Sequence, residues 1–315
     1  MPQSPALPTG AGRYAPSPSY DLHIGNLRTA VLAWLYACSS GRRFVLRVDD
    51  LDDRARPDVA HRQLADLVAL GLEWDGEVWW QSARFSLYDD ALGRLRAQGL
   101  VFECYCSRRD VQEATRAPHA PAGSYPGTCR DLTEAERAVR AAAGKTPALR
   151  LRAPGLQVQI EDEIAGTYVG PVDDVVLRRA DLAYSYHLAT VVDDAAAGVD
   201  QVVRGDDLLF ATPTQAHLYD LLGLPRPIWV HVPLVFNADG TRLAKRDRPA
   251  SLANWAEAGV TPAEVLGLIA QSLNLGDGAP VTAAELLARW RADRPAVITA
   301  WHAPTPGSGT KWSKQ

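Results

Sequence analysis

The stretch that most constrains this chain runs from Gly12 to Leu35. Pro16 and Pro18 forbid a helix through residues 16–18. From there on, Ile24, Leu27, Val31, Leu32 and Leu35 recur at helical spacing. The stretch therefore reads as a strand end, a Pro-rich turn and a helix. Gly25 stands at the start of that helix, where a missing side chain lets a ligand approach the backbone. Helix N-termini attract anions through their N–H groups and dipole. His23 adds a donor suited to a phosphate. These residues suggest a nucleotide site at a strand-to-helix turn, and they fit an ordinary βα loop equally well.

A length of 315 residues allows one large α/β domain with an insertion, or two domains. Apolar residues make up 47%, enough for a full core. A net charge of −4 gives no global basic field, so any RNA contact must use a local patch. No apolar run reaches membrane-spanning length. Residues 1–10 lack the charged start and apolar centre of a signal peptide. A soluble, cytoplasmic protein is the expectation.

Along the chain, Arg43–Val48 reads as a buried strand running into the acidic run Asp49–Asp53. Acidic groups at a strand's carboxyl end lie where open α/β sheets bind ligands. Pro57 and Gly71 bracket a helix, Trp74, Trp79 and Trp80 fall in a loop, and a further helix ends at Gly99. Residues 99–170 interrupt the βα pattern and read as an inserted subdomain. In it, Ser107 and Asp110 form a capping box, Thr133–Ala143 is helical, and strands lie around Leu149–Arg152 and Val158–Ile160. The α/β pattern resumes at Val175–Leu177. Val199–Val203 and Ile228–Phe236 are strand-like, and Thr212 caps a helix that Gly223 ends. Capping boxes at Thr261/Glu264 and Thr282/Glu285 open helices of a small C-terminal region, and residues 302–315 read as disordered.

Three of the four cysteines cluster, which argues for a metal rather than a disulfide framework. Cys104 and Cys106, with Tyr125 and Cys129, offer three thiolates and a phenolate, a full tetrahedral zinc set. His119 competes with Tyr125 for the fourth position. Cys38, inside the first helix, reads as a core residue.

Arg13-Tyr14-Ala15-Pro16-Ser17-Pro18 followed by His23-Ile24-Gly25-Asn26 resembles the first signature of class I glutamyl-tRNA synthetases. In that family R-F-A-P-S-P precedes H-I-G-H; here Tyr14 replaces Phe and Asn26 the last His. Leu243-Ala244-Lys245-Arg246 stands in the place of the second signature, the K-M-S-K-S loop. The resemblance implies a class I synthetase Rossmann-like α/β core with an inserted zinc-bearing subdomain and a small α-helical C-terminal region. The core spans 11–98 and 171–247, the insertion 99–170, a stem-contact-like helical region 248–301, and a tail 302–315. It implies catalytic roles for His23 and Lys245. It places Arg13, Tyr14, Ala15, Pro16, Ser17, Asp49, Tyr186 and Arg204 around glutamate. Asp49 stands where the family carries Glu, one methylene shorter. His23, Gly25, Asn26, Asp206 and Lys245 are placed around ATP, with Mg²⁺ accompanying the nucleotide and one structural Zn²⁺ in the insertion. An anionic side chain asks for a fixed guanidinium, and Arg13 and Arg204 are the two that fit.

About 65 residues follow Asp247, too few for the anticodon-binding half of a full synthetase. This shortened form is similar to the glutamyl-Q tRNA(Asp) synthetase family. That similarity implies activation of L-glutamate with ATP without tRNA, then transfer to queuosine at the wobble position of tRNA(Asp), by a monomer with no membrane partner. Two rivals remain. One is a shortened synthetase charging the tRNA 3′ end; the other is a catalytically silent RNA-binding module.

Overall fold

The computed structural model describes residues 10–107, 109–111, 125–237, 240 and 250–306. Its main sheet has seven strands, β1 to β3, β6, β7, β9 and β10. Ala11–Tyr14 is β1, Arg43–Val48 is β2 and Trp79–Trp80 is β3. Leu156–Asp162 is β6, Gly166–Val172 is β7, Val199–Gly205 is β9 and Ile228–Val232 is β10. The order is β3-β2-β1-β9-β10-β6-β7, parallel throughout except for the β6–β7 hairpin. The central strands β1, β9 and β10 are short and largely buried, as in a sheet covered on both faces.

From β1 the chain passes through α1 (Ile24–Ser39) to β2 on one side, and later returns as β9 on the other. The strand order therefore reverses at β1, and such a reversal opens a crevice at the carboxyl ends of the strands. Helix α1 is buried over most of its surface, so it reads apolar nearly all round. Arg28 on α1 is 1% exposed and anchors three distant segments. Its guanidinium donates to Ser272 Oγ, Pro233 O and Thr299 O. Leu252–Glu257, Pro262–Ser272 and Ala283–Ala292 are helical, the last two opened by the two capping boxes. They share the α1 core through Trp255, Leu266, Ile269 and Trp290.

The remaining strands differ from the sequence pattern in instructive ways. Trp79 and Trp80 are not loop: they form β3, paired with Arg47 and Val48 of β2. The hairpin β6–β7, read as part of the insertion, extends the main sheet beside β10. Conversely Val176–Arg178 (β8), where the α/β pattern resumes, joins a separate antiparallel sheet with Val101–Cys104 (β4) and Ala148–Leu151 (β5). A strand's partners are chosen by distant backbone, which periodicity does not register. Thr212 is not an N-cap: its hydroxyl is engaged elsewhere, and Ala211 precedes the helix Thr212–Leu221 without a side-chain cap. Trp301–His302 pairs with Val235–Phe236, so the final strand runs into the span read as disordered, and Ala303 is buried. Among the described residues no helix is long and apolar enough to cross a membrane.

Candidate active site

A cleft of roughly 1620 Å³ opens at the carboxyl ends of β1, β2 and β9. Arg13, Tyr14, Ala15, Pro16, Ser17, His23, Gly25, Asn26, Asp49, Tyr186 and Arg204 all line it. The sequence residues named for glutamate and, apart from two, for ATP thus meet in one space. Of those two, Lys245 lies outside the described residues. The other, Asp206, is exposed, and Asp207 takes the place in the cleft wall. These two acids open the 3₁₀ helix Asp206–Ala211, whose phase decides which one faces inward.

His23 caps α1. Its Nδ1 accepts from the N–H groups of Gly25 (3.1 Å) and Asn26 (3.3 Å), while Asn26 Oδ1 accepts from the His23 N–H. A neutral imidazole used this way carries its hydrogen on Nε2. Two N–H groups of the helix N-terminus thus already donate to the His23 ring. Gly25 is needed for the same reason. A Cβ there would lie 2.9 Å from His23 Cε1 and 3.3 Å from Val235 Cβ. The group that comes close to Gly25 is the His23 ring itself.

Arg204 is 5% exposed and lies in register with His231 on the neighbouring strand. Its guanidinium donates to His231 Nε2 (3.0 Å), Tyr186 Oη (2.9 Å), Gln215 Oε1 (2.7 Å) and Thr212 Oγ1 (2.8 Å). All four acceptors are uncharged, since burial pushes the His231 imidazole below its usual range despite the neighbouring Asp162. A buried cation held by neutral groups is oriented without being neutralised, which suits it to an anionic ligand. None of these four bonds runs to Asp206 or Asp207.

Arg13 serves differently. Its Nε faces Asp194 at 3.4 Å and its Nη1 donates to Val203 O at 3.2 Å. It belongs to a buried ionic network under the cleft. Arg47 Nε lies 2.6 Å from Asp49 Oδ1, and Arg47 Nη1 lies 2.5 Å from Asp194 Oδ1. Asp193 accepts from Arg84, Tyr88 and Gln81. Burial works against the Arg47 charge, but Asp49, Asp194 and Asp193 hold its guanidinium well above the usual value. Arg47 therefore positions the Asp49 carboxylate at the cleft wall. The sequence pattern did not point to Arg47, Thr212, Gln215 or His231. An arginine inside the apolar strand Arg43–Val48 was the available signal, because a buried charge needs a partner.

Burial alone would raise the Asp194 carboxyl, yet Arg13 and Arg47 outweigh it and hold it below the usual carboxylate range. A depressed folded pKa adds stability that is present above the unfolded value of about 3.9 and lost as pH falls through the lower folded one. Asp194→Asn should cost about 3–5 kcal/mol at neutral pH, where it strands the Arg13 guanidinium and takes one of the carboxylates from Arg47. It should also flatten the loss of thermal stability below about pH 4. Melting curves across pH check this, and acid limbs of equal steepness in both proteins would refute it.

Beyond the cleft, Cys104, Cys106 and Cys129 bring their sulfurs within 4.8 Å of one another, and none is disulfide-bonded. Tyr125 Oη sits among them, 3.3 Å from Cys104 Sγ and 3.8 Å from Cys106 Sγ, and accepts from the Cys129 N–H. Cys106 and Cys129 sulfurs are 3.5 Å apart. Sulfurs around a tetrahedral metal with bonds of about 2.3 Å lie about 3.8 Å apart, so this donor set fits one ion. Burial, and then the neighbouring Cys104, push the Cys106 thiol up to about 12. Such a thiol gives up its hydrogen when a cation compensates the charge. His119, the competing fourth ligand, lies outside the described residues.

The parallel sheet with its crevice at the strand reversal, the histidine-capped helix and the caged arginine together frame one ligand cleft. The family model "tRNA synthetases class I (E and Q), catalytic domain" matches residues 11–272. A glutamyl-Q tRNA(Asp) synthetase of Nocardia farcinica is 60% identical over 273 residues, 87% of each chain. One from Symbiobacterium thermophilum is 46% identical, covering 88% of this chain and 90% of its own. The chain belongs to this glutamyl-Q tRNA(Asp) synthetase family of class I (E and Q) proteins. A solved glutamate tRNA ligase from Elizabethkingia meningosepticum shares the fold with a TM-score of 0.76 at 22% identity. The match covers 89% of this chain but 64% of that ligase.

Proposed function

We propose that this protein activates L-glutamate with ATP in the absence of tRNA and transfers it to queuosine at the wobble position of tRNA(Asp). The observation that carries the reading is the caged Arg204 cation, facing the same cleft as His23. In the first step an α-carboxylate oxygen of glutamate attacks the ATP α-phosphorus and pyrophosphate leaves. Arg204 and Tyr186 hold the side-chain carboxylate, and Asp49, fixed by Arg47, takes the ammonium group. His23 donates from Nε2 to the phosphates, and Lys245 offsets the charge that develops there. Mg²⁺ enters with ATP. Catalysis of this kind is positioning and charge stabilisation. In the second step a queuosine hydroxyl attacks the acyl carbonyl, its proton leaves, and AMP departs.

The core comprises 11–98 and 171–247, with the hairpin β6–β7 of the insertion added to its sheet and β8 lent to the sheet of the insertion. The insertion 99–170 carries one structural Zn²⁺ on Cys104, Cys106, Tyr125 and Cys129. Residues 248–301 contact the RNA stem. The protein acts as a cytoplasmic monomer. The chain must bind the anticodon loop with its catalytic body. The site of transfer, a base of the anticodon loop and not the terminal adenosine, separates the reading from 3′-end charging.

One experiment tests the activity. Radiolabelled glutamate, ATP and tRNA are supplied, and the label is located by nuclease digestion. The expected result is label on queuosine and glutamate-dependent pyrophosphate exchange without tRNA. Label on the terminal adenosine would select the charging reading, and no label a silent RNA-binding module.

A further inference from the structure

The cage around Arg204 is itself held from behind. His231 Nδ1 lies 2.6 Å from Asp162 Oδ2, and both side chains are fully buried. Asp162 ends β6 and also accepts the N–H groups of Ile164 (3.0 Å), Ala165 (2.8 Å) and His231 (3.1 Å). Its oxygens meet donors only, so it stays an acceptor toward His231 Nδ1. The imidazole hydrogen therefore resides on Nδ1, and Nε2 presents a lone pair. That lone pair receives Arg204 Nε at 3.0 Å, with Thr212 Oγ1 at 3.1 Å. One carboxylate thus sets a tautomer, and the tautomer sets the plane of the guanidinium fork.

We infer that His231 and Asp162 are positioning residues for the anionic ligand of Arg204, acting by orienting its guanidinium through the Nδ1–H tautomer of His231. The inference rests on the reading that Arg204 takes the glutamate side-chain carboxylate. Neither residue reaches the cleft; both act through Arg204. The hairpin β6–β7, added at the edge of the main sheet, is what delivers the carboxylate, and so this hairpin contributes to the choice of amino acid.

The variants separate orientation from mere support. His231→Gln places an amide where Nε2 stood and retains an acceptor for Arg204. His231→Asn retains a donor for Asp162 but ends short of Arg204. Asp162→Asn, of the same shape, offers a donor to Nδ1 and drives the ring hydrogen to Nε2, against the Arg204 N–H. In glutamate-dependent pyrophosphate exchange, His231→Asn and Asp162→Asn should raise the glutamate KM by about tenfold or more, with the ATP KM unchanged. His231→Gln should stay within about threefold of the parent. Glutamate KM values unchanged in the first two variants, or kcat and thermal stability lost alike in all three, would overturn the inference. Nitrogen NMR of the unaltered protein gives a check that needs no variant: a hydrogen found on His231 Nε2 would also overturn it. Arg204→Ala is measured in parallel. An unchanged glutamate KM there sinks the carboxylate reading of Arg204, whatever the His231 variants do.

Discussion

Arg204→Ala should lower kcat/KM for glutamate in pyrophosphate exchange by about 30-fold or more. Truncating one side of a buried charge pair costs about 2–5 kcal/mol, and each 1.4 kcal/mol is tenfold. The effect belongs to this arginine and not to Arg13, because Arg13 already faces Asp194 while the Arg204 contacts are uncharged. The loss should fall on glutamate KM, since the side-chain carboxylate is bound alike in ground and transition state. Aspartate should be a poor substrate of the unaltered enzyme. Its carboxylate stops one methylene short of a fork that four hydrogen bonds keep from following it. A melting temperature measured beside the kinetics separates ligand binding from the cost of emptying the cage. Equal activation of aspartate and glutamate would show that Arg204 does not read side-chain length.

Loss of the metal should have the second large effect. The purified protein is expected to hold one zinc, and Cys104→Ala should abolish its retention. Structural zinc sites contribute on the order of 10 kcal/mol to the order of small domains. Around this site the apolar support is slight: Phe102, Cys104, Tyr105, Tyr125 and Cys129 form a small core of their own. Tyr125→Phe removes the phenolate and should weaken retention, whereas His119→Ala should leave it intact. The consequence reaches the cleft by a defined route. The Arg150 guanidinium stacks on the Tyr125 ring at 3.9 Å, Asp173 accepts the Tyr125 N–H, and both line the cleft. Chelation should therefore impair transfer to tRNA first and spare pyrophosphate exchange, because none of the four ligands lines the cleft. Metal analysis without zinc, or zinc that survives Tyr125→Phe and is lost with His119→Ala, would overturn the ligand set.

Much of this protein is determined by its sequence alone. The helix at Ile24 and the strand at Arg43–Val48 are dictated by local periodicity and by prolines that forbid the alternatives. The capping boxes at Thr261 and Thr282 form where Thr and Glu stand three apart, because a cap is a local contact. The cleft residues between Arg13 and Asn26 fall in one stretch, and Cys104 and Cys106 lie two residues apart with Tyr125 and Cys129 four apart, so both groups show as motifs. Other features were decided only when distant segments met. Whether Asp206 or Asp207 faces the cleft depends on the phase of one 3₁₀ helix. Trp79 and Trp80 become a strand because β2 offers a free edge. The hairpin β6–β7 and the strand β8 lie in other sheets than the sequence order suggests, because pairing answers to backbone partners, not to side-chain pattern. The orientation of Arg204 draws on Tyr186, Thr212, Gln215, His231 and, through His231, Asp162. A buried charge must be satisfied, which the sequence announces, but which groups satisfy it is fixed by packing alone.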